Sequence, residues 1–78
     1  MNVDQRITKV LSEVLNVPEA DISDKYSQND AGEWTSLAHL TVIMALEDEF
    51  KVRFTDAEVV DLLSFHQIRS ALHGKGIH

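Results

Sequence analysis

Residues 32–50 read GEWTSLAHLTVIMALEDEF, and the spacing of apolar residues in this stretch decides the fold. The pattern predicts an amphipathic helix from about Ala38 to Phe50, because residues three or four apart share one helix face. Leu37 and Met44 fall at the edge of that face. Four residues are expected to point inward: Leu40, Ile43, Leu46 and Phe50.

An earlier helix is predicted for residues 3–15, where apolar residues again recur at helical spacing. It should end at Asn16-Val17-Pro18, since proline cannot continue the hydrogen-bond ladder. Residues 17–34 are rich in Asp, Ser, Asn and Gly and read as a long connection. A connection this long needs anchors to the core. Four are expected: Val17, Ile22, Tyr26 and Trp34.

Two further helices are predicted after residue 50. Val52 and Phe54 should pack inward from a short extended link. The segment Thr55-Asp56-Ala57-Glu58 is a capping box that opens a short helix to about Leu63. A second box at residues 64–67 opens a last helix, which Gly74-Lys75-Gly76 stops. Three residues of that helix should face the core: Phe65, Ile68 and Leu72.

These patterns predict an all-α fold, a small four-helix bundle with three longer helices, one short helix and a long first loop. Residues 1–78 form one domain, with a structured core over about 3–73 and a flexible tail over 74–78. At 78 residues and 44% hydrophobic composition, one small core is possible, but not a deep cavity with a catalytic apparatus. An independent enzyme is therefore disfavoured.

The net charge of −6 is concentrated in the middle of the chain. Residues 13–61 contain twelve of the thirteen acidic residues but only three basic ones. An acidic centre disfavours nucleic acid and favours partners with basic surfaces. The chain has no cysteine, no basic-then-apolar leader and no apolar run of membrane-spanning length. We therefore expect a cytoplasmic, monomeric protein.

Ser36 places one hydroxyl at the start of the helix that residues 32–50 predict. Serine at this position is commonly only an N-cap, although Thr35 could take that role and free the Ser36 hydroxyl. A phosphate carried on Ser36 would be favoured by free backbone N–H groups and by the positive end of the helix dipole.

The chain resembles the acyl carrier protein family. The resemblance covers about residues 3–73 and is carried by Ser36-Leu37, by residues 44–50 (MALEDEF) and by Val52-x-Phe54. It implies a carrier rather than an enzyme. A phosphopantetheinyl transferase would attach 4′-phosphopantetheine from coenzyme A to Ser36. Partner enzymes would then load an acyl group as a thioester, through a ligase or synthase, and modify it.

The chain departs from the family at positions around that serine. Thr35 stands where the family usually has aspartate, and Ala38, His39 and Thr41 stand where acids are common. These departures favour a specialised pathway over bulk fatty acid synthesis. An aminoacyl, peptidyl or D-alanyl carrier is an alternative, because the loading enzyme selects the cargo. A second alternative is an acidic helical adaptor that carries no prosthetic group.

Docking of partners is expected along the second helix and the segment that follows it. Leu37 and Met44 would supply apolar contact, with packing into the core as the competing interpretation. Acidic residues would steer a basic partner surface, although each one taken alone reads as a solvated charge. The predicted docking residues are Leu37, Met44, Glu47, Asp48 and Asp56, and the wider acidic set adds Glu49, Glu58 and Asp61.

Histidines are not expected to serve catalysis or metal binding. His39 lies one turn after Ser36, but no third orienting group or shielded pocket is evident for hydrolysis. We expect His39 at the surface, near a phosphate on Ser36. His66, His73 and His78 lack the spacing of a metal site, and Trp34 is expected to anchor the long loop.

Overall fold

The first helix, α1 (Val3–Leu15), begins at a capping box. The structure is a computed structural model and describes residues 2–78. The Asn2 side chain accepts a hydrogen bond from the Gln5 amide, and the Gln5 side chain accepts one from the Asn2 amide. Asn16 ends the helix in the left-handed conformation, with φ 57°. The predicted range is confirmed, and α1 ends at Asn16, the first residue of the predicted stop.

The connection between α1 and the second helix follows the predicted anchors. Ile22 and Trp34 are buried, whereas Val17 and Tyr26 are partly buried against the core. A short 3-10 helix, Glu19–Asp21, interrupts it and was not predicted. The connection also pairs with the segment before the last helix, because Gln28 donates to the Leu63 carbonyl and Phe65 donates to the Tyr26 carbonyl. This pairing ties the loop to the far end of the chain.

The second helix, α2 (Ser36–Phe50), packs against α1 with a face that differs in part from the predicted one. The prediction for Leu40 is wrong, because its side chain is 57% exposed. Apolar residues nearly encircle α2, so periodicity alone could not select among overlapping faces. The packing against α1 and Trp34 selects it. The buried residues of α2 are His39, Val42, Ile43, Leu46 and Phe50.

The short helix α3 (Asp56–Asp61) opens at the predicted capping box. Thr55 accepts from the Glu58 amide at 3.1 Å, and the Glu58 carboxylate accepts from the Thr55 amide at 2.8 Å. None of the residues of α3 is fully buried, whereas Leu62, directly after the helix, is buried. Within α3, the Val59 side chain is partly buried against the core. Val52 and Phe54 before it are half-buried, as predicted.

The last helix, α4 (Phe65–Gly74), packs against α1. Ser64 caps it by accepting from the Gln67 amide at 3.2 Å, while the Gln67 side chain accepts from the Leu63 amide. Phe65, Ile68 and Leu72 are buried, as predicted.

Beyond α4, Ile77 donates to the Leu72 carbonyl at 3.0 Å and is half-buried. The flexibility of residues 74–78 stays a prediction.

The predicted all-α bundle of three longer helices and one short helix is confirmed. Its core is a single cluster to which all the longer helices and the first loop contribute. No helix within residues 2–78 has both the length and the apolar character to span a bilayer.

Loss of the Glu49 charge should lower stability at neutral but not at acidic pH. Arg6 donates a hydrogen bond to Glu49, which holds the pKa of this carboxyl below its usual value. A lowered carboxyl pKa adds stability above the unfolded-state pKa, and that stability is lost as pH falls through the folded-state pKa. We expect Glu49→Gln to lower the free energy of unfolding near neutral pH by on the order of 1 kcal/mol or less.

Urea unfolding followed by the fluorescence of Trp34, the single tryptophan, measures this difference. Asp48→Asn is the matched control, because the Asp48 side chain is 88% exposed and its oxygen lies 3.7 Å from the Lys51 ammonium. A Glu49→Gln deficit that persists below both pKa values would show that the ion pair is not its source.

Candidate functional site

Ser36 is the first residue of α2 and is exposed to solvent. Thr35, in extended conformation, is the N-cap, and its hydroxyl accepts from the Ala38 amide at 3.1 Å. The Ser36 hydroxyl is therefore not needed for capping. The amides of Ser36 and Leu37 precede the first intrahelical donor, so they have no helical acceptor. An anion on Ser36 would meet these amides and the positive end of the helix dipole.

Trp34 anchors the start of α2 to the core. Its side chain is 2% exposed, and its indole N–H donates to His39 Nδ1 at 3.0 Å. The ring also stacks on Tyr26, with centroids 5.9 Å apart. The anchoring role predicted for Trp34 is confirmed.

His39 is buried, so the prediction that it lies at the surface is wrong. Because the indole N–H can only donate, His39 Nδ1 must be the unprotonated nitrogen. Nε2 then carries the proton and donates to the Val59 carbonyl of α3 at 2.8 Å. We call these two hydrogen bonds the His39 bridge. It joins the long loop, α2 and α3 at a position one helical turn after Ser36.

A sequence pattern could have located His39. Positions 39, 42, 43, 46 and 50 follow helical spacing, so a face through these residues was available as an alternative to the one through Leu40. Because it contains a histidine, the face through His39 is less hydrophobic in the sequence than the face through Leu40. Only the two hydrogen-bond partners make its burial favourable.

Tyr26 and Glu33 form a second contact in the loop before Ser36. The Tyr26 hydroxyl donates to the Glu33 carboxylate. This bond lowers the pKa of Glu33. The pKa of Tyr26 is raised, mainly by burial and in addition by its bond to Glu33. Glu33 therefore stays ionised, and the Tyr26–Glu33 bond links two parts of the loop before Ser36.

An exposed apolar stripe runs along α2 from Ser36. Leu37 is 80% exposed, Leu40 57% and Met44 69%. Spacings of three and four residues place all three on one side of the helix. We call them the α2 stripe. With this exposure, Leu37 and Met44 are not packed into the core. The stripe also includes Leu40, which the sequence pattern had placed inside.

Two acids at the end of α2 have partners within the molecule. The Glu47 carboxylate accepts from the Phe54 amide at 2.8 Å and so orients the link to α3. Arg6 donates to the Glu49 carboxylate at 2.9 Å and to its carbonyl at 2.8 Å, joining α1 to α2. Each of these acids has a structural role.

Glu58 is also engaged, since Lys75 donates to its carboxylate at 3.1 Å. The Thr55 amide and then Lys75 lower the pKa of Glu58, which keeps it charged. The remaining acids of the predicted set are exposed to solvent. These exposed acids are Asp48, Asp56 and Asp61. Asp48 lies 3.7 Å from the Lys51 ammonium, an exposed ion pair that leaves it accessible to a partner.

Two open surface grooves lie away from Ser36. One of about 490 Å³ is lined by Met44, Glu47 and residues 51–53. The other, about 380 Å³, lies between α3 and α4. Ser36 lines neither groove. Within residues 2–78, no three acidic or histidine side chains are placed to hold a metal ion.

A family model described as a phosphopantetheine attachment site matches residues 5–72. The match covers most of the chain, and the protein therefore belongs to this family of carrier proteins. Its members carry covalent 4′-phosphopantetheine and work with a phosphopantetheinyl transferase and partner enzymes. The expectations of a carrier and of this cofactor are confirmed; the protein is not an enzyme.

Truncation of His39 should destabilise the fold. His39→Ala leaves the buried Trp34 N–H without a partner and removes the bond to the Val59 carbonyl. We expect the free energy of unfolding to fall by about 2 kcal/mol or more, because an unpaired buried polar group keeps its full desolvation cost.

Urea unfolding followed by circular dichroism measures this change. His66→Ala is the matched control, since His66 is exposed on α4 and its removal should change stability by less than about 0.5 kcal/mol. Equal effects of the two variants would contradict the structural role of the His39 bridge.

Proposed function

We propose that Ser36 carries the 4′-phosphopantetheine group and that the protein is an acyl carrier of a specialised biosynthetic pathway. The observation that supports the attachment most directly is the separation of roles at the start of α2. Thr35 caps the helix, and the neighbouring Ser36 hydroxyl stands exposed at the same helix end. Ser36 is thus accessible to a transferase without loss of the cap.

The residues present fit this prosthetic group. The free amides of Ser36 and Leu37 would stabilise a phosphodiester anion, and α2 is long enough for its dipole to contribute. Trp34 and the ionised Glu33 hold the preceding loop in place. When bound, the group supplies a terminal thiol on which cargo is held as a thioester. The chain has no cysteine of its own for that purpose.

The acyl cargo and the specialised pathway rest on the residues around Ser36. Thr35 and His39 stand at positions where acids are usual in acyl carriers, and both have structural roles here. A transferase or synthase that recognises such acids would find other contacts on this protein. We therefore favour dedicated partners, and a cytoplasmic location where coenzyme A is available. Loading assays with fatty-acyl and amino-acid ligases distinguish an acyl carrier from an aminoacyl one.

Partner docking is proposed on the α2 stripe and the exposed acids next to it. The stripe begins beside Ser36, so a partner seated on it would have the prosthetic arm within reach. Met44 offers an adaptable apolar surface. Asp48 and Asp56, at the end of α2 and the start of α3, would attract a basic partner face. Glu47 contributes charge but also holds the Phe54 amide.

Incubation with coenzyme A and a broad-specificity phosphopantetheinyl transferase should add the mass of one 4′-phosphopantetheine to the intact protein. Ser36→Ala should abolish the gain while the fold is retained, because Thr35 supplies the cap. Ser70→Ala, at an exposed position of α4, is the matched control and should be modified normally. Modification of folded Ser36→Ala would refute the assignment of the site.

Asp48→Asn should slow modification by the transferase roughly threefold at low salt, and the difference should shrink as ionic strength rises. Met44→Ala should slow it at every salt concentration. Neither change should move the unfolding midpoint appreciably, because both side chains are mostly exposed.

Glu13→Gln makes the same change of charge on an exposed position of α1 and serves as the control. Initial rates measured across a salt series test both effects. Rates that do not depend on ionic strength would argue against acidic steering, and a Met44→Ala variant with unchanged rates would remove Met44 from the docking surface.

A further inference from the structure

The position of His39 bears on where an attached cargo can go. His39 follows Ser36 by three residues, so both lie along one side of α2, one turn apart. Ser36 is exposed, whereas His39 is 8% exposed and lies between α2 and α3. A chain that entered the bundle from Ser36 along this side would meet the His39 bridge first.

The bridge uses both ring nitrogens of His39. Nδ1 accepts from Trp34 at 3.0 Å and Nε2 donates to the Val59 carbonyl at 2.8 Å. Insertion of an apolar chain would separate at least one of these pairs. It would leave a buried donor or acceptor against hydrocarbon, which is unfavourable because neither water nor protein would replace the lost partner.

The α3 helix is otherwise the element that could move to admit a chain. It contains no fully buried residue. Its other contacts with the bundle are the Val59 side chain, which is partly buried against the core, Leu62 directly after the helix, and the Lys75–Glu58 ion pair. The His39 bridge is thus the hydrogen-bonded contact that joins α3 to the Ser36 end of α2.

The core beneath the bridge is filled. Val42 and Leu46 of α2 and Ile68 of α4 have no exposed surface. A chain that passed the bridge would have to displace such side chains, and closely packed interiors resist added volume. By contrast, the α2 stripe offers an apolar surface outside the bundle that begins next to Ser36.

We propose that His39 determines the position of the cargo: by joining Trp34 to Val59 it closes the path from Ser36 into the core, so an attached acyl chain stays outside the bundle. This inference rests on the proposed attachment at Ser36. It assigns His39 as a positioning residue. It implies that the protein presents acyl chains to its partners without first releasing them from an internal cavity.

The test replaces the enzymatically attached 4′-phosphopantetheine by an alkyl chain attached chemically at position 36. Because the chain has no cysteine, Ser36→Cys creates a unique thiol at the attachment position. Alkylation with N-methyl or N-octyl iodoacetamide then gives two proteins that differ only in chain length. Methyl and amide NMR signals of Val42, Leu46 and Ile68 report entry into the core, and the unfolding midpoint reports added apolar burial.

With His39 present, the two arms should give the same core signals and the same unfolding midpoint. Shifted core signals together with a raised midpoint for the octyl protein would overturn the proposal. Failure of the transferase to modify Ser36 would instead count against the proposed function. The alkylated proteins do not depend on that reaction, so the two failures are distinguishable.

Removal of the bridge should admit the octyl chain. In the Ser36→Cys background, His39→Ala is expected to shift core signals with the octyl arm and not with the methyl arm, while His66→Ala should behave as the parent does. If His39→Ala is poorly folded, Trp34→Phe removes the indole donor together with the five-membered ring and keeps a six-membered aromatic ring at position 34. A folded bridge variant that still excludes the octyl chain would show that His39 is not the determinant.

Discussion

The hydrogen bond from the Trp34 indole to His39 is the interaction on which the site depends. The connection after α1 has few apolar anchors, and Trp34 is the last of them before Ser36. Burial of an indole removes a large apolar surface from water but leaves one N–H that needs an acceptor. His39 provides that acceptor and also donates a hydrogen bond to the Val59 carbonyl of α3. Loop, helix start and α3 are therefore positioned together.

The same arrangement explains how so small a protein can expose a reactive position on a rigid frame. Ser36 is placed by Thr35, which caps α2, and by Trp34, which is packed into the core. The serine itself takes no part in either contact. Attachment of a group to Ser36 therefore need not disturb an interaction that stabilises the fold.

Charge is divided between structure and surface in a way that the sequence alone does not reveal. Glu47, Glu49 and Glu58 lie in the same acidic region as Asp48, and in the sequence all four read as solvated or docking charges, with a capping-box bond predicted in addition for Glu58. The three glutamates instead join α2 to the α3 link, α1 to α2, and α4 to α3. Arg6 and Lys75 are distant in the sequence from Glu49 and Glu58, and Phe54 lies in the link beyond the end of α2. The longer glutamate side chains reach those partners, and the aspartates remain exposed.

The sequence by itself determined the four helices, the caps of the last two and the candidate attachment position. Capping residues, proline and helical spacing act over a few residues, so Thr55 and Ser64 could be placed without tertiary information. Ser36 was selected by the resemblance to acyl carrier proteins. Only the tertiary structure decided which face of α2 is buried. Apolar residues nearly surround that helix, and packing against α1 and Trp34 turned Leu40 outward and His39 inward. A polar side chain can be buried only where its partners stand, and those partners are brought together by the fold.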